Sequence, residues 1–317
     1  MLQPVSVATK HLSDYASIVG RPLVEEIRDR ARRLEGKRIL DVSATAFGGG
    51  VAEILYTLAS STIRSRRQSH RWCLTRPVSG YGAVIRSLDP EPVHARAAGP
   101  AYRALPGRSL NMAFSPEDAI YICEQFGIDV DRPLLCQVSR FDPWKDPRGV
   151  IDAYRIVKDR LPEVQLALVG SMATDDPEGW DYFNATVAHA DGDPDIHILN
   201  NLNNVGAIEV NAFQSHCDVV IHKSTREGFG LTVTEAIWKG RPFIGGDVGG
   251  IPLQVSDGET GFLVSSVEEC AGRALEILRD PGLGKKLGRA GKESVRRRFL
   301  MPRLLRDWLA LFETLGA

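Results

Sequence analysis

At 317 residues, 43% apolar and 25% charged, the chain is long enough to bury a sizeable core and to form two domains. A formal net charge of -1 and a pI near 6.7 exclude a global basic field that would recruit nucleic acid or an anionic membrane. No run approaches the 18 consecutive apolar residues of a spanning helix, and "MLQPVSVATKHLSDY" lacks a basic start followed by an apolar core, so the expected location is cytoplasmic.

In chain order, the first predicted elements are a strand at 38–45, a glycine turn at 48–50 and a helix at 51–61, the opening of a nucleotide-binding-like domain. Adjacent glycines let the backbone approach a ligand, and the helix start that follows offers free N–H groups to an anion. A tight turn and a phosphate or sugar contact fit this stretch equally. Residues 66–110 break the pattern: eight arginines, five prolines and two acids, with no strand run longer than "YGAVI" and no helical period. This segment reads as a linker or a degenerate stretch, and it lacks the regular stacking pattern of an RNA-binding surface. Order resumes where Ser115 can cap and Pro116 can open a helix.

Six short, nearly continuous apolar runs follow, at 133–139, 164–170, 195–200, 218–224, 241–246 and 261–265. Continuous apolar strands are covered on both faces, as in a parallel sheet wrapped by helices. Between the first two, Val150, Ile151, Tyr154, Val157 and Leu161 recur at helical spacing, and Pro162 ends the run. A doubly wound α/β domain is therefore predicted over 132–297, with ligands at the carboxyl ends of its strands. The last segment, "MPRLLRDWLALFETL", puts Leu304, Leu305, Trp308, Leu309 and Phe312 on one helical face, too apolar to stay in water.

Two stretches carry candidate chemistry. In "TREGFGLTVTEA" (225–236), a loop after the fourth run leads into a helix starting near Gly230. The N–H groups of Leu231 and Thr232 and the helix dipole there suit a diphosphate. Glu235, one turn in, is placed to accept a ribose diol, and Glu227 to accept the hydroxyls of a sugar beyond the diphosphate. A solvated loop acid and a surface helix acid are the plain alternative. In "VSRFDPWKDP", after the first run, Arg140 and Lys145 are two cations able to neutralise a departing diphosphate, with a pair of surface cations as the alternative. The patterns "DVD", "DGD" and "DPD" lie beside Pro or Gly and read as turns. The five cysteines (Cys73, Cys123, Cys136, Cys217, Cys270) are scattered without a C-x-x-C pair and read as reduced core thiols.

"SRFDPWK", "REGFGLTVTEA" and "GGIPLQVSDGETGFLV" together resemble the donor half of the retaining GT-B glycosyltransferases of the group-1 type. The wording is most similar to trehalose synthases of the glycosyltransferring kind, and "TAFGGGVAEILYTL" looks like that family's N-terminal region. The resemblance implies an α/β fold of GT-B type with two Rossmann-like domains, the first truncated or irregular. It implies a shortened acceptor-side domain at 1–131, a donor domain at 132–297 and a terminal helix at 298–317 packing back on the first domain.

The implied activity moves glucose from a nucleotide diphosphate glucose to glucose with retention, forming trehalose. Arg140 and Lys145 would hold the diphosphate and Glu227 the donor sugar, and Glu235 would hold the ribose. The backbone of Leu231 and Thr232 would complete the phosphate site, and Gly49 and Gly50 would approach it from the first domain. No metal or other cofactor is implied. The implied partners are a nucleotide sugar and a small sugar acceptor, without nucleic acid or membrane, and a homodimer stays open. The family's acceptor motif, His followed by Asp-Pro-Gln, is absent from the sequence, and 66–110 stands where acceptor-domain elements should be. A nucleotide-sugar-binding protein without turnover is therefore the alternative. A phosphorylase-type use of the fold needs a lysine-bound pyridoxal phosphate, which nothing in the sequence favours.

Overall fold

The structure, a computed structural model, describes residues 2–3, 12–34, 40–43, 70–74, 113–172 and 176–315. The predicted turn at 48–50, the helix at 51–61 and most of 66–110 lie outside the described residues. The chain forms two compact units, one of Met1–Pro106 with Arg296–Ala317 and one of Gly107–Val295.

In the first unit, β1 (Leu2–Gln3) is followed by the short α1 (Ala16–Val19) and by α2 (Arg21–Arg33), then by β2 (Leu40–Ser43) and β3 (His70–Leu74). The sheet order is β1-β3-β2, with β2 parallel to β3 and β1 antiparallel to it. Strand β3 falls inside the segment for which the sequence predicts no regular run there. "HRWCL" has no β-branched residue and a single strand-favouring aromatic, Trp72, a weak local signal, and it is extended in pairing with β1 and β2.

The terminal helix of the same unit, Met301–Thr314, buries Leu305 and Leu309 against Ile27 and Leu34. Trp308 and Phe312 meet edge to face at 5.4 Å beside them. The Glu313 carboxylate then receives Arg30 Nη1 at 2.7 Å and Arg33 Nε at 2.9 Å.

The second unit begins with α3 (Pro116–Gln125), where Ser115 Oγ accepts the Asp118 N–H at 3.0 Å as an N-cap should. The boundary expected at 131 would leave this helix in the first domain, but it belongs to the second unit, where Cys123 is fully buried and the neighbouring Phe126 packs edge-on at 5.3 Å against Phe213. Strand and helix then alternate: β4 (Leu134–Val138), α4 (Pro147–Lys158), β5 (Gln165–Gly170), α5 (Pro177–Ala190), β6 (Ile196–Asn200), α6 (Ala207–His216) and β7 (Val219–His222). They are followed by α7 (Leu231–Trp238), β8 (Phe243–Gly246), β9 (Phe262–Val264), α8 (Val267–Arg279) and α9 (Pro281–Arg298).

All six strands are parallel, in the order β6-β5-β4-β7-β8-β9. Burial runs continuously along β4, β5, β7 and β8, as strands covered on both faces require. Val150, Ile151 and Tyr154 of α4 pack into one core with Leu166 and Leu168 of β5 and Ile244 of β8. The chain winds outward from β4 to β6 on one side and from β7 to β9 on the other. The reversal therefore falls between β4 and β7, and in an open α/β sheet the crevice at such a reversal is where ligands bind.

Candidate functional site

Two loops leave the sheet at that reversal, one after β4 and one after β7. Loop 139–146 carries "SRFDPWKD", and loop 223–230 carries "KSTREGFG". Backbone bonds tie them together: the Trp144 carbonyl accepts the N–H of Thr225 at 2.9 Å and that of Arg226 at 3.4 Å. The Arg226 guanidinium lies over the Trp144 ring at 5.1 Å. At the base of the first loop, Asp146 adopts a left-handed conformation with φ of 48° and caps α4 by accepting the Gly149 N–H at 3.1 Å. Its other carboxylate oxygen pairs with the buried Lys223 ammonium at the end of β7. The pair joins the start of α4 to the end of β7.

These ties bring together two of the residues predicted from sequence. Lys145 Nζ reaches Glu227 Oε2, with both side chains largely buried. The same oxygen faces His222 Nε2 at 2.9 Å, and Glu227 Oε1 accepts the Gly228 N–H at 3.0 Å. Burial by itself pushes the Glu227 carboxyl up, but hydrogen bonds from His222 and Lys145 outweigh it and hold the group down at about 2. Glu227 is thus an ionised acceptor at neutral pH, and its partner His222 must carry its proton on Nε2.

Arg140 does not join this cluster. Its side chain is 68% exposed and pairs with Asp142 at 3.0 Å. Leu231 and Thr232 form the first turn of α7, whose N-cap Gly230 has φ of 78° and supplies no side chain to cap the helix. The N–H groups of that turn point out of the helix start. Glu235 sits half-buried one turn further on. Four residues later, burial pulls the Lys239 ammonium down to about 8, opposed by the Glu235 carboxylate and reinforced by Lys292. Gly49 and Gly50 lie outside the described residues.

Three features that position Glu227 were not singled out in the sequence. His222 looks there like any residue of the strand run, and it is the course of the loop 223–230, folding back over the end of β7, that brings Glu227 onto its ring. Gly249 has φ of 55°, and a Cβ there would stand 1.8 Å from the Glu227 carbonyl oxygen. Gln254, fully buried, donates through Nε2 to the carbonyls of Phe229, Gly230 and Gly250, and its Oε1 accepts the Thr234 hydroxyl. The signal for the last two was "GGIPLQ", a short-loop motif whose meaning is a close backbone approach. Gln137 Oε1 and Ser224 Oγ are buried at these strand ends without a hydrogen-bond partner, so the crevice retains hydrogen-bonding capacity. Among the described residues, no group of three or more His, Cys, Asp or Glu side chains is disposed to hold a metal, and no helix is long and apolar enough to cross a membrane.

Comparison with known proteins assigns the chain to a family and a fold. Residues 122–294 match the family described as glycosyl transferases group 1. The trehalose synthase of Rubrobacter xylanophilus is 42% identical over 414 aligned positions, covering 99% of each chain. That of Pyrococcus horikoshii is 33% identical over 407 positions, covering 98% of each. Both alignments are longer than the 317 residues of this chain, so each relative has positions with no counterpart here. Among solved structures, an Anabaena protein crystallised with UDP-glucose superposes with a TM-score of 0.55 at 18% identity, over 96% of this chain and 71% of that one. That likeness shows the fold, which is of the GT-B glycosyltransferase type.

Proposed function

This chain belongs to the group 1 glycosyl transferases and is a homologue of the trehalose synthases, and from that membership we propose that it transfers glucose from a nucleotide diphosphate glucose to glucose, forming trehalose with retention. One observation carries the reading: an ionised carboxylate and an ammonium, Glu227 and Lys145, meet at the reversal of a parallel sheet, on the loop that leads into a helix start.

In this reading the diphosphate lies against the N–H groups of Leu231 and Thr232 and within reach of Arg140 and Lys145. An ammonium has three donors, so Lys145 can serve a phosphate oxygen while still holding Glu227. The bond between glucose C1 and the diphosphate oxygen breaks, and the charge that grows on the leaving group is met by these cations and the helix start. The acceptor hydroxyl passes its proton to a phosphate oxygen, and its own oxygen bonds C1 on the same face, which preserves the anomeric configuration. Glu227 accepts hydroxyls of the donor glucose, and Glu235 accepts the ribose diol.

A second reading, nucleotide-sugar binding without turnover, is favoured by one observation, the excess of aligned positions over the residues of this chain. Incubating the purified protein with labelled nucleotide glucose and unlabelled glucose separates the two. Labelled trehalose is the expected product, and tight binding of the donor without any disaccharide would select the second reading.

A further inference from the structure

Glu227 is the residue expected to recognise the donor sugar, and its capacity to do so is countable. A carboxylate offers about four acceptor positions. Two on Oε2 are taken by Lys145 and His222, and one on Oε1 by the Gly228 N–H. One remains, on Oε1, which fixes the direction from which a sugar hydroxyl can approach. The orientation of the carboxylate therefore decides what it can bind.

The three partners hold Glu227 unequally. Gly228 is the next residue in the chain and moves with the loop. Lys145 sits on the facing loop at the end of a flexible stem, and its ammonium is shared with a diphosphate once a donor binds. His222 alone is part of a strand, β7, paired with β8 through its own position opposite Gly245. Its side chain is 3% exposed, so its ring cannot swing away.

We propose that His222 is a positioning residue that fixes the Glu227 carboxylate for the sugar of a nucleotide sugar, and so sets sugar-dependent affinity without touching the nucleotide. This rests on the donor reading above. A ring N–H fixed by the strand aims one oxygen of Glu227 downward, leaving the other facing the crevice. Without it the carboxylate can rotate toward Lys145, and the remaining acceptor position loses its direction.

The test compares unaltered protein with His222→Leu and His222→Gln by calorimetry. The probes are whichever of UDP-, ADP- and GDP-glucose binds the unaltered protein most tightly, together with the matching bare diphosphate. Leucine removes the donor and should weaken nucleotide glucose about tenfold while leaving the bare diphosphate within about twofold. Glutamine keeps an N–H and should recover most of the loss. A merely structural role would lower both affinities together and would not be rescued selectively. If the leucine variant fails to fold, His222→Asn, too short to reach Glu227, takes its place against glutamine. Leucine or asparagine indistinguishable from the unaltered protein, or an equal loss for both ligands, would overturn this role alone. Unaltered protein that binds the diphosphate and its glucose conjugate equally would overturn the donor reading along with it.

Discussion

At the scale of single residues, the site divides its work by where each charge sits. Arg140 is exposed and already paired with Asp142, whereas Glu227 is enclosed and held by three donors. A charge-assisted contact is worth roughly 1.5–3 kcal/mol, and exposure puts Arg140 at the low end. Arg140→Ala should therefore weaken a nucleotide diphosphate about tenfold, with or without its glucose. Glu227→Ala should spare the bare diphosphate and weaken only the glucose conjugate. Titration of both variants with both ligands checks this, and equal losses throughout would mean that the acids and cations are assigned to the wrong ends of the donor. Lys145, Glu227 and Glu235 stand out as candidates in the sequence because each lies in a loop-to-helix pattern with a physical reason behind it. Their grouping is less legible: Lys145 and Glu227 are 82 positions apart, and their contact depends on which strands are neighbours. His222 is illegible for a different reason: it is only five positions from Glu227, but the fold-back of the loop between them has no mark in the sequence.

At the scale of elements, the second unit could be read almost strand by strand, since continuous apolar runs bounded by Pro and Gly have few other uses. The observed strands are shorter than the predicted ones by a residue or more at one or both ends, where loops take over the hydrogen bonding. Strand β3 escaped because its local signal is weak, with Trp72 as its one strand-favouring aromatic and no β-branched residue. The terminal helix was legible as an amphipathic face but not by its partner, α2, nearly the whole chain away. That packing can be measured. Leu309 is 2% exposed, and its truncation removes buried methyl groups from a small cluster with few neighbours able to collapse into the gap. Leu309→Ala should cost about 2–5 kcal/mol of stability in denaturant unfolding, while Leu311→Ala, on the exposed face, should stay within about 0.5 kcal/mol. Equal effects at the two positions would contradict the contact with Ile27 and Leu34.

At the scale of the whole molecule, the features assigned to the donor that fall within the described residues all lie in the unit Gly107–Val295. Binding of a nucleotide diphosphate should thus stabilise that unit whether or not an acceptor is ever used. At a concentration one hundred times the dissociation constant, linkage adds about 2.7 kcal/mol. For a unit of this size that raises the melting temperature by roughly 5–11 °C. A thermal scan with UDP, ADP and GDP in turn checks it, and no shift with any of the three at millimolar concentration would contradict a donor site here.

The contact between the two site loops is made by the Trp144 carbonyl and not by its indole. Every amino acid carries that carbonyl, so this tie between the loops does not depend on the identity of residue 144, and the stacking of Arg226 on the ring adds about 0.5–1 kcal/mol at an exposed site. The half-exposed residue is the chain neighbour of Lys145, on the loop assigned to the proposed donor site. Position 144 is thus a place where selection, natural or in the laboratory, can explore new substrates while the architecture stays fixed, and a library randomised there should retain its folded fraction even as its preferences diverge.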